Sequence, residues 1–294
     1  MSAAPKADDR LGAHVSIAGG VQTAPARGTA IGATALQLFT KTPNQWREPT
    51  IGAATADAFR AEADKSGIRH YVVHDSYLIN LASPDPALRA KSMDSFAAEL
   101  RRCAALGIPF LVSHPGNFID DHDAGLARNA AAIAECFERV PDGPMVCLET
   151  TAGSGTVLGR TFEELAAIRE ALPSAARARI GFCADTCHLY SAGYDLVNDF
   201  DGVWSQFDRV LGLANLKVLH LNDSKHPFAS RKDRHELIGE GTLGPTPFQR
   251  IMTDARFRDV VKCLETPKGD DETTLDIRML DRLRGYATSR APTT

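Results

Sequence analysis

Seven apolar segments of this 294-residue chain end, within their last two or three positions, in a histidine or a carboxylate: His14, His74, His114, Glu149, Asp185, His220 and Glu265. A single histidine closing an apolar segment is ordinarily a hydrogen-bonded core residue. Seven such endings have another meaning. Several buried carboxylates and imidazoles cost several kcal/mol for each unpaired charge, and a converging cluster persists when a cation neutralises it. Further candidates lie beside these segments. His188 follows Asp185 by three residues in CADTCHLYSAGYD. In SRKDRHELIGEG, Asp233 and His235 are two apart, which in extended chain points both side chains the same way. An exposed charged turn is the competing structural explanation of that Asp-x-His. Even without His14, five histidines (His74, His114, His188, His220, His235) and four carboxylates (Glu149, Asp185, Asp233, Glu265) exceed the roughly four ligands of one tetrahedral ion. Two or three ions are implied. Imidazole and carboxylate without thiolate suit Zn²⁺, Mn²⁺ or Fe²⁺ over Ca²⁺ or Mg²⁺, with zinc first. Cys183 and Cys187 flank Asp185 at an even offset and are expected to pack in the core.

The elements that must carry these groups recur regularly. Eight candidate strands start at Leu11, Ala35, His70, Pro109, Met145, Ile180, Val218 and Val260, and only the second lacks a metal-capable side chain at its end. Between them run Ala-, Glu- and Arg-rich stretches with helical apolar spacing, such as AATADAFRAEADKSG, ALRAKSMDSFAAELRRCAALG and TFEELAAIREAL. Eight strand–helix units predict an α/β fold, a closed (β/α)₈ TIM barrel in a single domain, with the candidate groups at the C-terminal ends of its strands. The alternative is an open doubly wound sheet, which no early G-x-G-x-x-G supports. The barrel is expected over residues 11–286, with polar, disordered tails at 1–10 and 287–294. Two long segments, KTPNQWREP after the second strand and SKHPFASRKDRHELIGEGTLG after the seventh, are loops of the catalytic face.

Composition narrows the class. The formal charge of −4 argues against coating nucleic acid through bulk basicity, while leaving local recognition open. MSAAPKADDR has neither a basic n-region nor an apolar core, and no run of about 18 apolar residues occurs, so a soluble, cytoplasmic protein with no membrane partner is expected. Six cysteines without a C-x-x-C pair fit reduced thiols.

Several motifs in order, GAHVSIAGG, LFTKTPNQWR, HDSYLINLASP, HPG, LETTAGSGTVLG, ADTCHLYSAGYD, HLNDSK and SRKDRHELIGEG, make the chain from about Leu11 to Glu265 resemble the endonuclease IV family of zinc-dependent apurinic/apyrimidinic DNA repair endonucleases. Carried over motif by motif, the resemblance implies one zinc on His74, His114 and Glu149. It implies a second on Glu149, as a bridge, with Asp185, His220 and Glu265, and a third on His188, Asp233 and His235. His14 then stands beside the ligands and is not one of them. The implied reaction is metal-assisted hydrolysis of the phosphodiester bond 5′ to an abasic site in duplex DNA, leaving a 3′-hydroxyl and a 5′-deoxyribose phosphate. Glu149 and Glu265 are its catalytic carboxylates, Glu265 orienting the attacking water. A monomer is implied.

The same resemblance assigns the DNA grip to Lys41, Asn44, Gln45, Trp46 and Arg47 after the second strand, Tyr77 and Leu78 after the third, and Lys225, Ser230, Arg231, Lys232 and Arg234 after the seventh. Phosphate contacts position a duplex, and inserted side chains hold a flipped nucleotide out of the stack. A rim-packing Trp46 and a solvated Lys/Arg face are the competing structural explanations. The glycines of TAGSG and IGEG fit either tight turns or close approach of backbone to phosphate. Two departures stand out: Asn44 replaces the arginine of the family's Pro-Arg-x-Trp, and Thr150 replaces an asparagine beside the ligand Glu149, exchanging an amide for a hydroxyl. Glu149, Asp185, His220 and Glu265 alone would also suit a single-metal sugar isomerase or epimerase on the same barrel. A barrel that binds DNA or metal without catalysis is the remaining alternative.

Overall fold

The computed structural model describes residues 9–288. Eight parallel strands close into a barrel: β1 (Leu11–Val15), β2 (Ala35–Leu38), β3 (His70–His74), β4 (Phe110–Ser113), β5 (Met145–Glu149), β6 (Ile180–Asp185), β7 (Leu216–His220) and β10 (Val261–Leu264). Their order round the barrel is β1-β10-β7-β6-β5-β4-β3-β2, the expected (β/α)₈ closure. The two remaining strands, β8 (Asp223–Ser224) and β9 (His235–Glu236), pair antiparallel inside the loop after β7, where sequence alone indicated only loop.

Period-two alternation explains how the barrel positions a site. Ala35, Val72, Val112, Cys147, Cys183, Val218, Val261 and Cys263 form one buried cluster of small side chains inside the barrel. Two residues further along the strands, the same face carries Gln37, His74, His114, Glu149, Asp185, His220 and Glu265. A layer of apolar side chains thus floors a layer of polar ones at the C-terminal mouth. Gly12, two residues before His14 on β1, has no room for a side chain, since a Cβ there would lie 1.7 Å from the Ala35 carbonyl oxygen.

Around the strands, helices bury one face each. The helix Phe200–Leu211 places Phe200, Val203, Trp204, Phe207 and Leu211 inward at i, i+3, i+4, i+7 and i+11 spacing. Trp204 packs on Phe257 at 4.6 Å between ring centroids, and each such buried side chain contributes about 1.5–3 kcal/mol. The three helical stretches anticipated above appear as Ala53–Ser66, Pro86–Leu106 and Phe162–Ala171. Asp85 and Thr161 cap the last two, accepting amides at their N-termini.

Most of both expected tails lies outside the described residues. Of the rest, Asp9 accepts from Thr34 and from Arg284 Nε at 2.8 Å, Arg10 pairs with Asp259 at 2.9 Å, and Ala287 and Thr288 end the helix Thr274–Thr288. No helix among the described residues is long and apolar enough to cross a membrane.

Candidate metal centre

Glu149, at the end of β5, is fully buried and sits at the middle of the polar layer. Its Oε2 lies 3.2 Å from His74 Nε2 and 3.1 Å from His114 Nε2. Its Oε1 lies 2.9 Å from His220 Nδ1 and 3.3 Å from His188 Nδ1. The nine side chains fall into three sets, His74/His114/Glu149, Glu149/Asp185/His220/Glu265 and His188/Asp233/His235, the first two sharing Glu149, with ligand-type atoms within 4.8 Å of one another in each.

Outer hydrogen bonds aim the rings. Nδ1–H of His74 donates to the Asp75 carbonyl at 2.9 Å, that of His188 to the Thr150 carbonyl at 2.8 Å, and that of His235 to the Glu265 carbonyl at 3.1 Å. Each ring thereby turns Nε2 inward. His235 Nε2 is buried without a hydrogen-bond partner, 3.6 Å from Asp185 and 3.2 Å from Asp233. Rings committed outward with lone pairs inward, interleaved with carboxylates, fit divalent cations of the zinc class.

Electrostatics leads to the same fit. Burial disfavours charge on His74, yet Glu149, Glu265 and Asp75 outweigh it and raise its pKa to about 10. In the same way Asp185 and Asp233 overcome burial and raise His235 to about 9. Burial opposes ionisation of Glu265 as well, but His220, His74 and His235 hold it down at about 2. Without a cation, protons on the imidazoles neutralise the cluster; a bound divalent ion would displace them. Cys183 and Cys187 come within reach of the second and third sets, but Cys183 belongs to the barrel's apolar cluster, and burial pushes its thiol far up and that of Cys187 to about 12. Neither is a thiolate.

Local sequence explains much of this placement. Asp185 ends β6 and is the N-cap of the helix Thr186–Ala192, its Oδ1 accepting the His188 amide at 2.9 Å. Its Oδ2 accepts from Asn222 Nδ2 at 2.6 Å. The Thr150 hydroxyl accepts the Asp185 amide at 3.0 Å, so the hydroxyl in place of the family's amide still braces a candidate ligand. Asp223 gathers the amides of Ser224, Gly239, Gly241 and Leu243 and shapes the loop that delivers Asp233 and His235. Gly241 is required for that contact, since a Cβ would lie 2.5 Å from Asp223 Oδ1. The IGEG glycines therefore serve the turn around Asp223. Gly153 and Gly155 of TAGSG likewise turn the chain at positive φ.

His14 stands at the edge of the cluster, 3.8 Å from Glu265 and against Phe39 at 4.3 Å between centroids. Burial lowers its pKa to about 3. A groove of about 520 Å³ opens above the cluster, lined by His14, Tyr77, Asp233, His235 and Glu265 among others.

The candidate DNA-contacting residues divide. Asn44, Gln45, Arg47, Tyr77, Lys225, Arg231, Lys232 and Arg234 are exposed, while Trp46, Leu78 and Ser230 are partly buried. Tyr77 is 63% exposed beside His74. Trp46 packs beneath Lys91, whose ammonium lies 4.5 Å from its ring. Lys41 differs from the rest: it is buried, with Nζ 2.5 Å from Glu48 Oε1 and 3.0 Å from Ser95 Oγ, so its ammonium is engaged inside the protein. Residues the sequence did not point to are Asn222 and Gln37; Gln37 lies fully buried between His14, His220 and Glu265.

A closed parallel barrel gathering imidazoles and carboxylates at its C-terminal mouth defines a metal-dependent TIM-barrel enzyme, and a family described as xylose isomerase-like TIM barrel matches residues 26–283. "Probable endonuclease 4" of Chloroflexus aurantiacus is 46% identical over 281 residues, covering 93% of this chain and 98% of that protein. The crystal structure of endonuclease IV from Thermus thermophilus superposes with a TM-score of 0.84 at 36% identity, covering 94% and 99% of the two chains. This chain belongs to the endonuclease IV family. D-psicose 3-epimerase from Clostridium cellulolyticum, at 15% identity, TM-score 0.62 and coverage of 94% and 95%, shares the fold alone.

Proposed function

We propose that this chain is a DNA repair endonuclease that hydrolyses the phosphodiester bond 5′ to an abasic site in duplex DNA, using three zinc ions and leaving a 3′-hydroxyl and a 5′-deoxyribose phosphate. The observation that carries this reading is the division of Glu149, whose Oε2 faces His74 and His114 while its Oε1 faces His220. A carboxylate so divided would suit a bridge between two ions. His74, His114 and Glu149 would hold one, Glu149, Asp185, His220 and Glu265 a second, and His188, Asp233 and His235 a third. Zinc bound there supplies a water nucleophile at neutral pH and Lewis acidity toward the phosphate oxygens. Glu265 borders the groove with its carboxylate ionised, and we assign it orientation of the attacking water. Tyr77 and Leu78 would hold the flipped sugar, and Asn44 to Arg47 with Lys225, Ser230, Arg231, Lys232 and Arg234 would grip the duplex.

The test is a duplex with one abasic analogue, incubated with and without chelator. Chelator-sensitive incision 5′ to the lesion is expected, abolished by Glu149→Ala; no incision would defeat the reading. Elemental analysis separates it from the sugar epimerase alternative, which the Glu149/Asp185/His220/Glu265 set alone would serve. Roughly three ions per chain are expected, and one would favour the alternative. Six free cysteines support a cytoplasmic location, and we take the protein to act as a monomer.

A further inference from the structure

We infer that Gln37 is a positioning residue of the metal centre: its side-chain amide sets which nitrogen of His220 faces the cluster and holds the carboxylate of Glu265 in place. The consequence for metal binding rests on the reading above; the hydrogen-bond geometry does not. β2 is the one strand whose inward polar position carries no ligand-type group, and Gln37 occupies it. A glutamine fully buried in a barrel is costly unless each of its polar groups is paired. Here Nε2 donates to Glu265 Oε1 at 2.6 Å and to His14 Nδ1 at 3.0 Å, while Oε1 accepts from His220 Nε2–H at 2.7 Å.

The orientation of this amide follows from its neighbours. The NH₂ of Gln37 faces Glu265 Oε1 at 2.6 Å, and the reverse orientation would set two oxygens at that distance. Once the NH₂ faces Glu265, Oε1 faces His220, and His220 must present a proton on Nε2. Its Nδ1 then looks inward, 2.9 Å from Glu149 Oε1 and 3.3 Å from Glu265 Oε2. His74, His188 and His235 have their outer nitrogen tied to a backbone carbonyl, whereas His220 depends on this side chain. One amide therefore adjusts two candidate ligands of the same set.

Gln37→Met keeps the length and removes all three bonds. Zinc competition against a chromophoric chelator should show a loss of about ten- to hundredfold in affinity for one ion, the usual effect of removing a group that orients a ligand. In ¹⁵N-histidine-labelled protein, the Nε2–H proton of His220 should exchange visibly faster. Gln37→Glu keeps an acceptor for His220, so the slow proton should return. A Gln37→Met protein of native circular dichroism, with zinc affinity within about twofold of wild type and an unchanged proton signal, overturns the inference. Wild-type protein that binds no zinc would sink the metal reading instead. The proton signal in metal-free protein then decides the role of Gln37, an identical signal in wild type and Gln37→Met counting against it.

Discussion

Asp185 Oδ1 accepts the backbone amide of His188 at 2.9 Å, so the carboxylate that closes β6 is also the cap from which the next helix starts. One residue thus contributes its own oxygen to the second set and fixes where His188 enters the third. The two roles separate by substitution, because asparagine caps a helix as well as aspartate does and alanine does not. Asp185→Asn keeps the capping oxygen but turns an NH₂ toward Asn222 Nδ2, so it is expected to fold with a modest loss of stability while losing zinc and incision. Asp185→Ala should lose about 1 kcal/mol more in urea denaturation of the metal-free protein. Equal stabilities for the two variants would refute the capping role.

The same pair shows what the sequence discloses. Strands buried on both faces announce themselves as apolar runs, and the step of two residues from Cys147 to Glu149 or Val218 to His220 is visible without coordinates. Asp-x-x-His was legible as proximity, though the capping bond behind it was not. Gln37 carried no signal because an amide is neither a ligand type nor apolar, and its importance lies in three partners distant in sequence. Lys41 is a related case. The resemblance places it in a loop that would grip DNA, and only the fold shows Glu48 and Ser95 beside its ammonium.

Protonation of the metal-free cluster leads to a pH dependence of definite sign. His74 and His235 hold protons to about pH 10 and 9, above the ordinary histidine value of 6.5. Their contribution to stability is therefore complete below about pH 6.5 and is lost as pH rises through 9 to 10. Metal-free protein should become less stable over that window, while zinc binds more tightly because fewer protons need displacing. Calorimetric titration at about pH 7 in buffers of different ionisation enthalpy should register proton release on zinc binding. Zinc binding without proton release would contradict the charged-imidazole picture.

Lys41 and the exposed basic residues should behave oppositely. Lys41→Met breaks a bond to ionised Glu48 and is expected to cost about 1.5–3 kcal/mol of stability, leaving the salt dependence of DNA binding unaltered. Arg231→Ala should reduce the slope of log affinity against log salt by about one, and Asn44→Arg should raise it by a similar amount, as for single phosphate contacts. Fluorescence anisotropy with an abasic duplex over a salt series reads all three. A shallower slope in Lys41→Met would return that residue to the DNA-binding surface.

Lys262, next to the inward Val261 and Cys263 but on the alternate face of β10, is 3% exposed. Its ammonium donates to the Val260 carbonyl at 2.9 Å, and burial lowers its pKa from 10.5 to about 8. Between those two values Lys262 is protonated in the unfolded chain and deprotonated in the folded one, so its own contribution to stability rises with pH across this interval, opposite in sign to that of His74 and His235. Below about pH 8 the folded protein bears the full cost of a buried charge. Methionine fills similar space without charge, so Lys262→Met should gain about 1–3 kcal/mol at about pH 7, after allowance for the lost hydrogen bond. That advantage over wild type should shrink between about pH 8 and 10.5. Because Lys262 belongs to neither the metal sets nor the groove above them, incision should stay at the wild-type rate. A variant less stable than wild type at neutral pH would mean that the Val260 bond and the nearby Asp9 and Asp259 carboxylates outweigh the desolvation of the ammonium.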